Sequence, residues 1–208
     1  LKFSLAKNDQ FIFIKKISFL NHHLCHAAST YYASGFDKAL IFTIDGSGEE
    51  DCTVIWKAEN GEIKEIEKYK LPHTLGGYYG TFTEFLGFRA NSEEGKLMGL
   101  APYGKFDIGI QKKLEDFVSY DKTNFSYIVD PTYRFYNQRT YNALFTDKLV
   151  KAFGPPRSPH KKLTSYHKDL AFNVQWRLEQ IVSGLVLKYV NANKIYNVCL
   201  DGGVAMNC

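Results

Sequence analysis

Residues 39–45, ALIFTID, limit the possible folds most strongly, because they form an almost continuous apolar run that ends in a carboxylate. Such a run is typical of a strand that is covered on both faces. Strands of this kind occur in α/β proteins, where helices pack on the two sides of a sheet. The segment therefore predicts a central strand of an α/β domain, with Asp45 at the strand's carboxyl end.

The segment NHHLCHAAS, residues 21–29, precedes that strand and holds half of the chain's six histidines. Asn21 is a suitable N-cap, and the apolar residues after it follow the three-to-four spacing of a helix that ends near residues 34–35. Residues four apart share one helical face, so His22 and His26 point the same way, whereas His23 is rotated by about 100°. His23 therefore needs a separate role.

Two imidazoles on one helical face, followed by a carboxylate at a strand end, suggest a metal site. Imidazole nitrogen suits iron, zinc, nickel or copper, and Asp45 could supply a third ligand while leaving one coordination position open. The alternative is structural, because pairs of histidines four apart also occur in helices that bind no metal. Further motifs in the chain are needed to distinguish a metal site from structural histidines.

Several further segments predict secondary structure. Residues 11–14 and 17–20 are rich in β-branched and aromatic residues and predict a buried strand leading into the histidine segment. Residues 53–58 and 63–69 flank Asn60-Gly61, which predicts an antiparallel hairpin with a second arm exposed on one face. A long amphipathic helix is expected around residues 170–189, as a scaffold, and a short strand at residues 195–200.

Two glycine-rich segments are candidates for ligand contact. Residues 75–104 contain seven glycines among aromatic residues, and the spacing fits either close helix packing or close approach to a ligand. Lys96 in this segment could contact a phosphate, although a lone lysine is more often solvated. Gly202 and Gly203 follow the last predicted strand and could open a helix whose amides face a sugar or phosphate.

Composition narrows the choice of function. The formal net charge is +4, from 26 lysines and arginines against 22 acidic residues, and the basic residues are scattered, so nucleic-acid binding is not expected. The four cysteines are far apart, which argues against a zinc ribbon or a disulfide framework and favours a reducing cytoplasm. No apolar run has the length of a membrane span, so no membrane association is expected.

Four of these segments resemble, in order, the motifs of carbamoyltransferases of the nodulation and antibiotic-tailoring type. They are HHLCHAAS at 22–29, DGSGE at 45–49, EGKLMGLAPYG at 94–104 and GGVAMN at 202–207. The catalytic domain of such enzymes is similar to the tRNA threonylcarbamoyl-transfer protein and belongs to the actin and sugar-kinase superfamily. The resemblance implies an α/β, actin-like (ribonuclease H-like) fold with mixed sheets and flanking helices.

The resemblance also implies roles for particular residues. It assigns His22, His26 and Asp45 to a metal, usually taken as iron. It places three residues near the adenosine of ATP: Gly202, Gly203 and Asn207. The segment with Lys96 belongs to the neighbourhood of the active site, and His23 becomes a candidate for proton transfer or substrate contact. A histidine hydrogen-bonded in the interior is an equally good interpretation of His23.

The implied reaction transfers a carbamoyl group from carbamoyl phosphate, through a carbamoyl-adenylate made with ATP, to a hydroxyl of a small molecule such as a sugar or natural product. Two other functions stay open. One is transfer of threonylcarbamoyl to tRNA, which the scattered basic residues disfavour. The other is a non-catalytic, actin-like nucleotide-binding module, in which the histidines are structural.

The sequence departs from this family in three respects. No His-Asp pair precedes His22, no later metal-binding aspartate follows GGVAMN, and Asp201 stands where a small or apolar residue is usual. The first two departures predict a piece of a longer protein, whose missing C-terminal part completes the site, so that the 208-residue chain alone is inactive. We expect three divisions of the chain: a first actin-like subdomain at 1–119, a loop-rich insertion or connection at 120–166, and the truncated start of a second actin-like subdomain at 167–208.

Overall fold

The computed structural model describes residues 4–7, 10–13, 17–136 and 143–207. Strands and helices follow one another in groups along this length. The strands are β1 (Ser4–Lys7), β2 (Gln10–Phe13), β3 (Lys38–Gly48), β4 (Asp51–Glu59), β5 (Glu62–Lys70), β6 (Val118–Asp121), β7 (Ser126–Val129) and β8 (Val198–Asp201). The helices are α1 (His22–Ser34), α2 (Leu75–Phe85), α3 (Glu94–Leu100), α4 (Ile108–Phe117), α5 (Asp147–Phe153) and α6 (Ser165–Asn193).

A four-stranded mixed sheet carries the fold, with the strand order β5-β4-β3-β8. β3 pairs with β4 in the antiparallel direction and with β8 in the parallel direction, so it lies inside the sheet. The register of the parallel pair sets Thr43 opposite Asp201. The prediction of a central strand at residues 39–45 is confirmed, and so is the α/β class.

Side chains of β3 alternate between two apolar layers, as the period of two in a strand requires. Leu40, Phe42 and Ile44 join a large core that includes residues of α2 and α6. Ala39 and Ile41 face the other way and pack with Ala27 and Tyr31 of α1. Helices therefore cover both faces of β3, which is the physical reason for its unbroken apolar sequence.

The predicted hairpin is confirmed as β4 and β5. Asn60 and Gly61 between them both have positive φ angles, 53° and 83°, which the turn demands and which asparagine and glycine tolerate. β5 mostly alternates between exposed and half-buried residues, as predicted for an arm exposed on one face, and it forms one edge of the sheet.

Two predicted helices are also confirmed. α1 begins directly after Asn21, whose side-chain oxygen accepts the Leu24 N–H at 2.9 Å, and it ends at Gly35, with φ 72°. α6 covers Ser165–Asn193 and so contains the whole predicted amphipathic segment.

The strand predicted to lead into the histidine segment is wrong at residues 17–20. These residues have no regular structure, and Phe19 is 95% exposed. β2 pairs with β1 alone within the described residues, so it does not extend the central sheet. Apolar composition favours a strand, but burial needs a pairing surface, and no described strand offers one to residues 17–20. Ile14 lies outside the described residues.

The last predicted strand is shorter than expected, because β8 begins only at Val198. The division into subdomains stays a prediction. The sheet nevertheless joins β8 to β3, and the large core includes residues from α2, α4 and α6, on both sides of the expected boundaries. In the part of the chain that the structure describes, no helix is both long and apolar enough to cross a membrane.

Candidate metal centre and nucleotide cavity

The carboxyl end of β3 and the first turns of α1 bring His22, His26 and Asp45 together. The Asp45 Oδ2 atom lies 3.1 Å from His22 Nε2 and 3.3 Å from His26 Nε2. The two Nε2 atoms lie 3.1 Å from each other. Three potential ligand atoms, from one helical turn and one strand end, thus surround a single point.

The donor set fits a transition-metal ion. One ligand atom from each of the three residues lies within 4.8 Å of the others. Ligands about 2.0–2.1 Å from an ion at tetrahedral or octahedral angles are about 2.8–3.4 Å apart, and the separations described above lie within that range. Two imidazole nitrogens and one carboxylate oxygen suit iron, zinc and related metals and leave positions for a substrate.

Asp45 is held as a carboxylate. Its Oδ1 atom accepts the Gly46 N–H at 2.6 Å, while Oδ2 faces the two histidines. Burial raises the pKa of Asp45, but hydrogen bonds from His22 and from the Gly46 amide outweigh burial, so the pKa lies below its usual value. A deprotonated carboxylate is the form that binds a metal.

Two glycines leave the space that this cluster needs. A Cβ at Gly48 would overlap the His22 ring, and a Cβ at Gly203 would lie 3.0 Å from Asp45 Oδ1. Gly202 has a φ of 97°, which disfavours other residues there. The close approach of Gly48 and Gly203 to the cluster, together with the positive φ of Gly202, explains three glycines in the DGSGE and GGVAMN segments.

His23 points away from the cluster into the interior and has no exposed surface. Its Nε2–H donates to the Asp51 carbonyl at 3.0 Å, which leaves Nδ1 to accept from the Thr43 hydroxyl at 2.9 Å. Burial lowers the pKa of the His23 imidazole, so its neutral form is favoured. This geometry favours the interior hydrogen-bonding interpretation over proton transfer to a substrate.

Asp201 contacts the cluster from outside through His26, although the sequence predicted no role for it there. Its Oδ1 atom lies 3.1 Å from His26 Nδ1, and its Oδ2 atom accepts the Ser29 hydroxyl at 2.6 Å. Burial raises the pKa of Asp201, but hydrogen bonds from Ser29 and from the Gly202 amide outweigh it, and the pKa is lowered. The one signal in the sequence was an acidic residue at an unexpected position.

A cavity of about 500 Å³ opens beside the cluster. It is lined by parts of β3, α2, α3, α6 and the 3-10 helix Gly203–Met206. Its lining residues are Asp45, Gly46, Gly76, Tyr79, Asn91, Ser92, Glu94, Gly95, Met98, Leu178, Gly203, Val204, Met206 and Asn207. Two predicted nucleotide contacts and one predicted metal ligand thus share one cavity, whereas Gly202 lies just outside its lining.

Asn207 is held by a residue that the sequence did not single out. Its side-chain amide exchanges two hydrogen bonds with Gln175 of α6, at 2.6 and 3.0 Å. The Tyr79 hydroxyl donates to the same Gln175 oxygen at 2.7 Å. Nothing in the sequence indicated this role, because helical periodicity does not indicate which distant residue a helical side chain contacts. Gln175 and Asn207 are 32 positions apart.

Lys96 lies apart from the cavity lining. Its side chain is 58% exposed, and its ammonium group lies 2.5 Å from the Glu93 carboxylate one helical turn earlier. The neighbouring residues Glu94, Gly95 and Met98 do line the cavity. The segment is therefore placed beside the site, and the role of Lys96 as a phosphate contact stays a prediction.

The fold and the cluster define an α/β protein with a candidate metal centre at a strand end. The sequence profile of the family described as "Carbamoyltransferase N-terminus" matches residues 3–208. The chain therefore belongs to the carbamoyltransferase family, of the NodU type, and corresponds to its N-terminal region.

Individual relatives agree with this assignment. The nodulation protein NolNO of Sinorhizobium fredii is 34% identical over 194 residues, covering 93% of this chain and 26% of that protein. The nodulation protein NolO of Bradyrhizobium diazoefficiens is 31% identical over 189 residues, covering 91% and 32%. An uncharacterized protein of Synechocystis sp. is 35% identical over 195 residues, covering 91% and 30%. The chain thus spans about a third or less of the length of these relatives.

Proposed function

We propose that the intact protein is an O-carbamoyltransferase that transfers a carbamoyl group from carbamoyl phosphate, through a carbamoyl-adenylate made with ATP, to a hydroxyl of a small molecule. The observation that carries this proposal is the shared cavity. Asp45 of the candidate metal cluster and Gly203 and Asn207 of the candidate nucleotide site line one space of about 500 Å³. Membership of the carbamoyltransferase family supplies the reaction type.

His22, His26 and Asp45 would hold the metal, for which iron is our proposal, and ATP is the co-substrate. A bound metal ion supplies Lewis-acid stabilisation of charge that grows on a carbonyl or phosphoryl oxygen. The chain's own residues provide position and shape. Because Gly203 has no side chain, a ligand has room to approach Asp45, and two hydrogen bonds with Gln175 hold the Asn207 amide at the cavity wall.

The acceptor hydroxyl needs hydrogen-bonding groups near the reacting carbon. The cavity provides them in Asn91, Ser92 and Glu94 of the EGKLMGLAPYG neighbourhood. The Glu94 Oε1 atom accepts the Asn91 N–H at 2.6 Å, so this part of the wall is ordered by its own contacts. These polar groups are the proposed contacts for a hydroxylated acceptor.

The actin-like fold is part of the same proposal. A mixed sheet with helices packed on both faces supports it, because that is the layering which the resemblance implies. Since the chain spans about a third or less of its relatives, we propose that turnover requires parts of the protein beyond these 208 residues. A cytoplasmic location is proposed with it.

The surface charges support a small-molecule acceptor over tRNA. Several exposed lysines already pair with carboxylates, among them Lys38, Lys64 and Lys148. Paired lysines present a weaker positive field than the unpaired clusters that phosphate backbones attract. These charges therefore favour a small molecule over nucleic acid as the acceptor.

The test combines a metal analysis with a transfer assay on the intact protein. Anaerobically purified protein is analysed for iron and then incubated with isotope-labelled carbamoyl phosphate, ATP and a panel of sugars and polyols. Labelled O-carbamoyl product that requires ATP supports the proposal. Nucleotide binding without metal and without transfer would instead show a non-catalytic module, and label appearing only in added tRNA would show the nucleic-acid enzyme.

A further inference from the structure

The two ring nitrogens of His26 face different partners. Nε2 points to the candidate metal cluster, 3.1 Å from His22 Nε2 and 3.3 Å from Asp45 Oδ2. Nδ1 points to the opposite side of the ring, where Asp201 Oδ1 lies at 3.1 Å. A carboxylate oxygen can only accept a hydrogen bond, so this contact requires the proton on Nδ1 and leaves the Nε2 lone pair free for a metal.

We propose that Asp201 is a positioning residue, which fixes the tautomer and ring orientation of His26 for metal binding; this proposal rests on the metal centre proposed above. The arrangement has the form in which a metal-binding histidine donates its other N–H to a carboxylate. Such an outer partner makes the imidazole a better ligand and removes its rotational freedom. Asp201 acts through His26 rather than on a substrate.

Asp201 is itself firmly anchored. Its Oδ1 atom also accepts the Gly202 N–H at 2.6 Å, and its Oδ2 atom accepts the Ser29 hydroxyl at 2.6 Å. Ser29 lies one helical turn after His26 on α1, so the carboxylate bridges two residues of that helix to the end of β8. Both oxygens are engaged, and the direction of the carboxylate toward His26 is therefore fixed.

The sheet explains why a carboxylate lies on each side of His26. β3 and β8 run parallel, with Thr43 opposite Asp201, so both strands end at the same edge beneath the first turns of α1. β3 delivers Asp45 to the Nε2 side, and β8 delivers Asp201 to the Nδ1 side. Within the described residues, the group with metal-ligand spacing contains His22, His26 and Asp45 without Asp201, so Asp201 is not a fourth ligand of that group.

The first experiment measures metal affinity. Cobalt(II) alone is titrated into the metal-free intact protein, and its visible absorption is followed in competition with a chelator. Asp201→Ala should weaken cobalt binding by about 10–100-fold, the usual effect of losing an outer-sphere partner. Asp201→Asn should restore most of the affinity, because its amide oxygen can still accept from His26 Nδ1 while its NH₂ group faces Ser29. Asp121→Ala, which removes a hydrogen-bonded carboxylate from an exposed turn, is the matched control and should leave the affinity unchanged.

The second experiment observes the tautomer directly and does not depend on metal. Nitrogen NMR of the metal-free protein labelled in histidine, with the His26 signal assigned from a His26→Gln variant, should show the proton on Nδ1. Asp201→Ala should shift the equilibrium toward Nε2–H. If the role of Asp201 were purely structural, Asp201→Ala would lower the free energy of unfolding without moving this signal.

The outcomes separate the two proposals. Cobalt affinity of Asp201→Ala within twofold of wild type, or an Nε2–H tautomer in the wild-type protein, would overturn the role of Asp201. A wild-type protein that binds no cobalt would overturn the metal centre itself, while the tautomer would still confirm or refute the pairing of Asp201 with His26.

Discussion

The two interpretations of His23 predict opposite results for one pair of substitutions. His23 has no exposed surface, and its two ring nitrogens contact the Asp51 carbonyl and the Thr43 hydroxyl. The same hydroxyl also accepts from the Trp56 indole N–H at 3.1 Å. His23 therefore ties α1 to β3 and β4 through a buried chain of hydrogen bonds.

The structure sets the size of the expected effect. His23→Ala removes two buried hydrogen bonds. The Thr43 hydroxyl still has the Val54 carbonyl as an acceptor at 3.3 Å, so the group left unpaired is the Asp51 carbonyl, at a cost of about 1–3 kcal/mol. The cavity left by the ring adds about 1–2 kcal/mol, because the surroundings collapse only in part. The free energy of unfolding should fall by about 2–5 kcal/mol in total. His23→Gln keeps an N–H for the Asp51 carbonyl and should lose about 1–2 kcal/mol.

The assay is urea denaturation of the metal-free protein, followed by circular dichroism, alongside the carbamoyl-transfer rate of each folded variant. Glutamine cannot exchange a proton near neutral pH, so it would lower the rate by about 10²–10⁴-fold if His23 were a general acid or base. We expect the rate of His23→Gln, per folded molecule, to stay within a few-fold of wild type. Wild-type stability together with a rate loss of more than a hundredfold would refute this reasoning and make His23 catalytic.

Four further predictions concern the cluster and the cavity. The intact protein should retain about one transition-metal ion per chain and lose it in His22→Ala or His26→Ala, because two of three ligands cannot hold it; a folded double variant with wild-type metal content would contradict this. Gly48→Ala should weaken cobalt binding at least tenfold, because the new methyl displaces the His22 ring, and Gly46→Ala, where a Cβ meets nothing within 4 Å, is its control. Gly203→Leu should weaken ATP binding more than it lowers the free energy of unfolding, as measured by calorimetry and urea denaturation, because the side chain enters the cavity; equal losses would show a packing role. Gln175→Leu should raise the KM for ATP about fivefold with little change in kcat, since it releases Asn207; an unchanged KM would show that this amide pair does not serve the nucleotide.

Local structure followed from residues adjacent in the chain. Asn21 and Gly35 set the ends of α1, and Asn60-Gly61 set the hairpin, because caps and tight turns depend on the φ angles and side chains of a few neighbouring residues. The apolar run at residues 39–45 predicted the central strand for a similar reason, since burial on both faces requires an apolar residue at nearly every position. Residues 17–20 show the limit of this argument, because composition favours a strand without providing a partner to pair with.

Helical spacing and the motif resemblance together selected His22, His26 and Asp45, and the structure brings these three together. Spacing alone could place the two histidines on one face, but not next to Asp45. That proximity requires α1 to pack over the end of β3, which is decided by the apolar contacts of Ala27 and Tyr31 with the sheet.

Contacts between distant residues were decided only by the tertiary structure. Asp201 meets His26 across 175 positions, because the parallel pairing of β8 with β3 fixes the register at the sheet edge. Gln175 meets Asn207 because α6 packs beneath the turn that follows β8. The sequence determined which residues can bind a metal or cap a helix; strand register and helix packing decided which of them meet, because both depend on the combined burial of many side chains rather than on any local pattern.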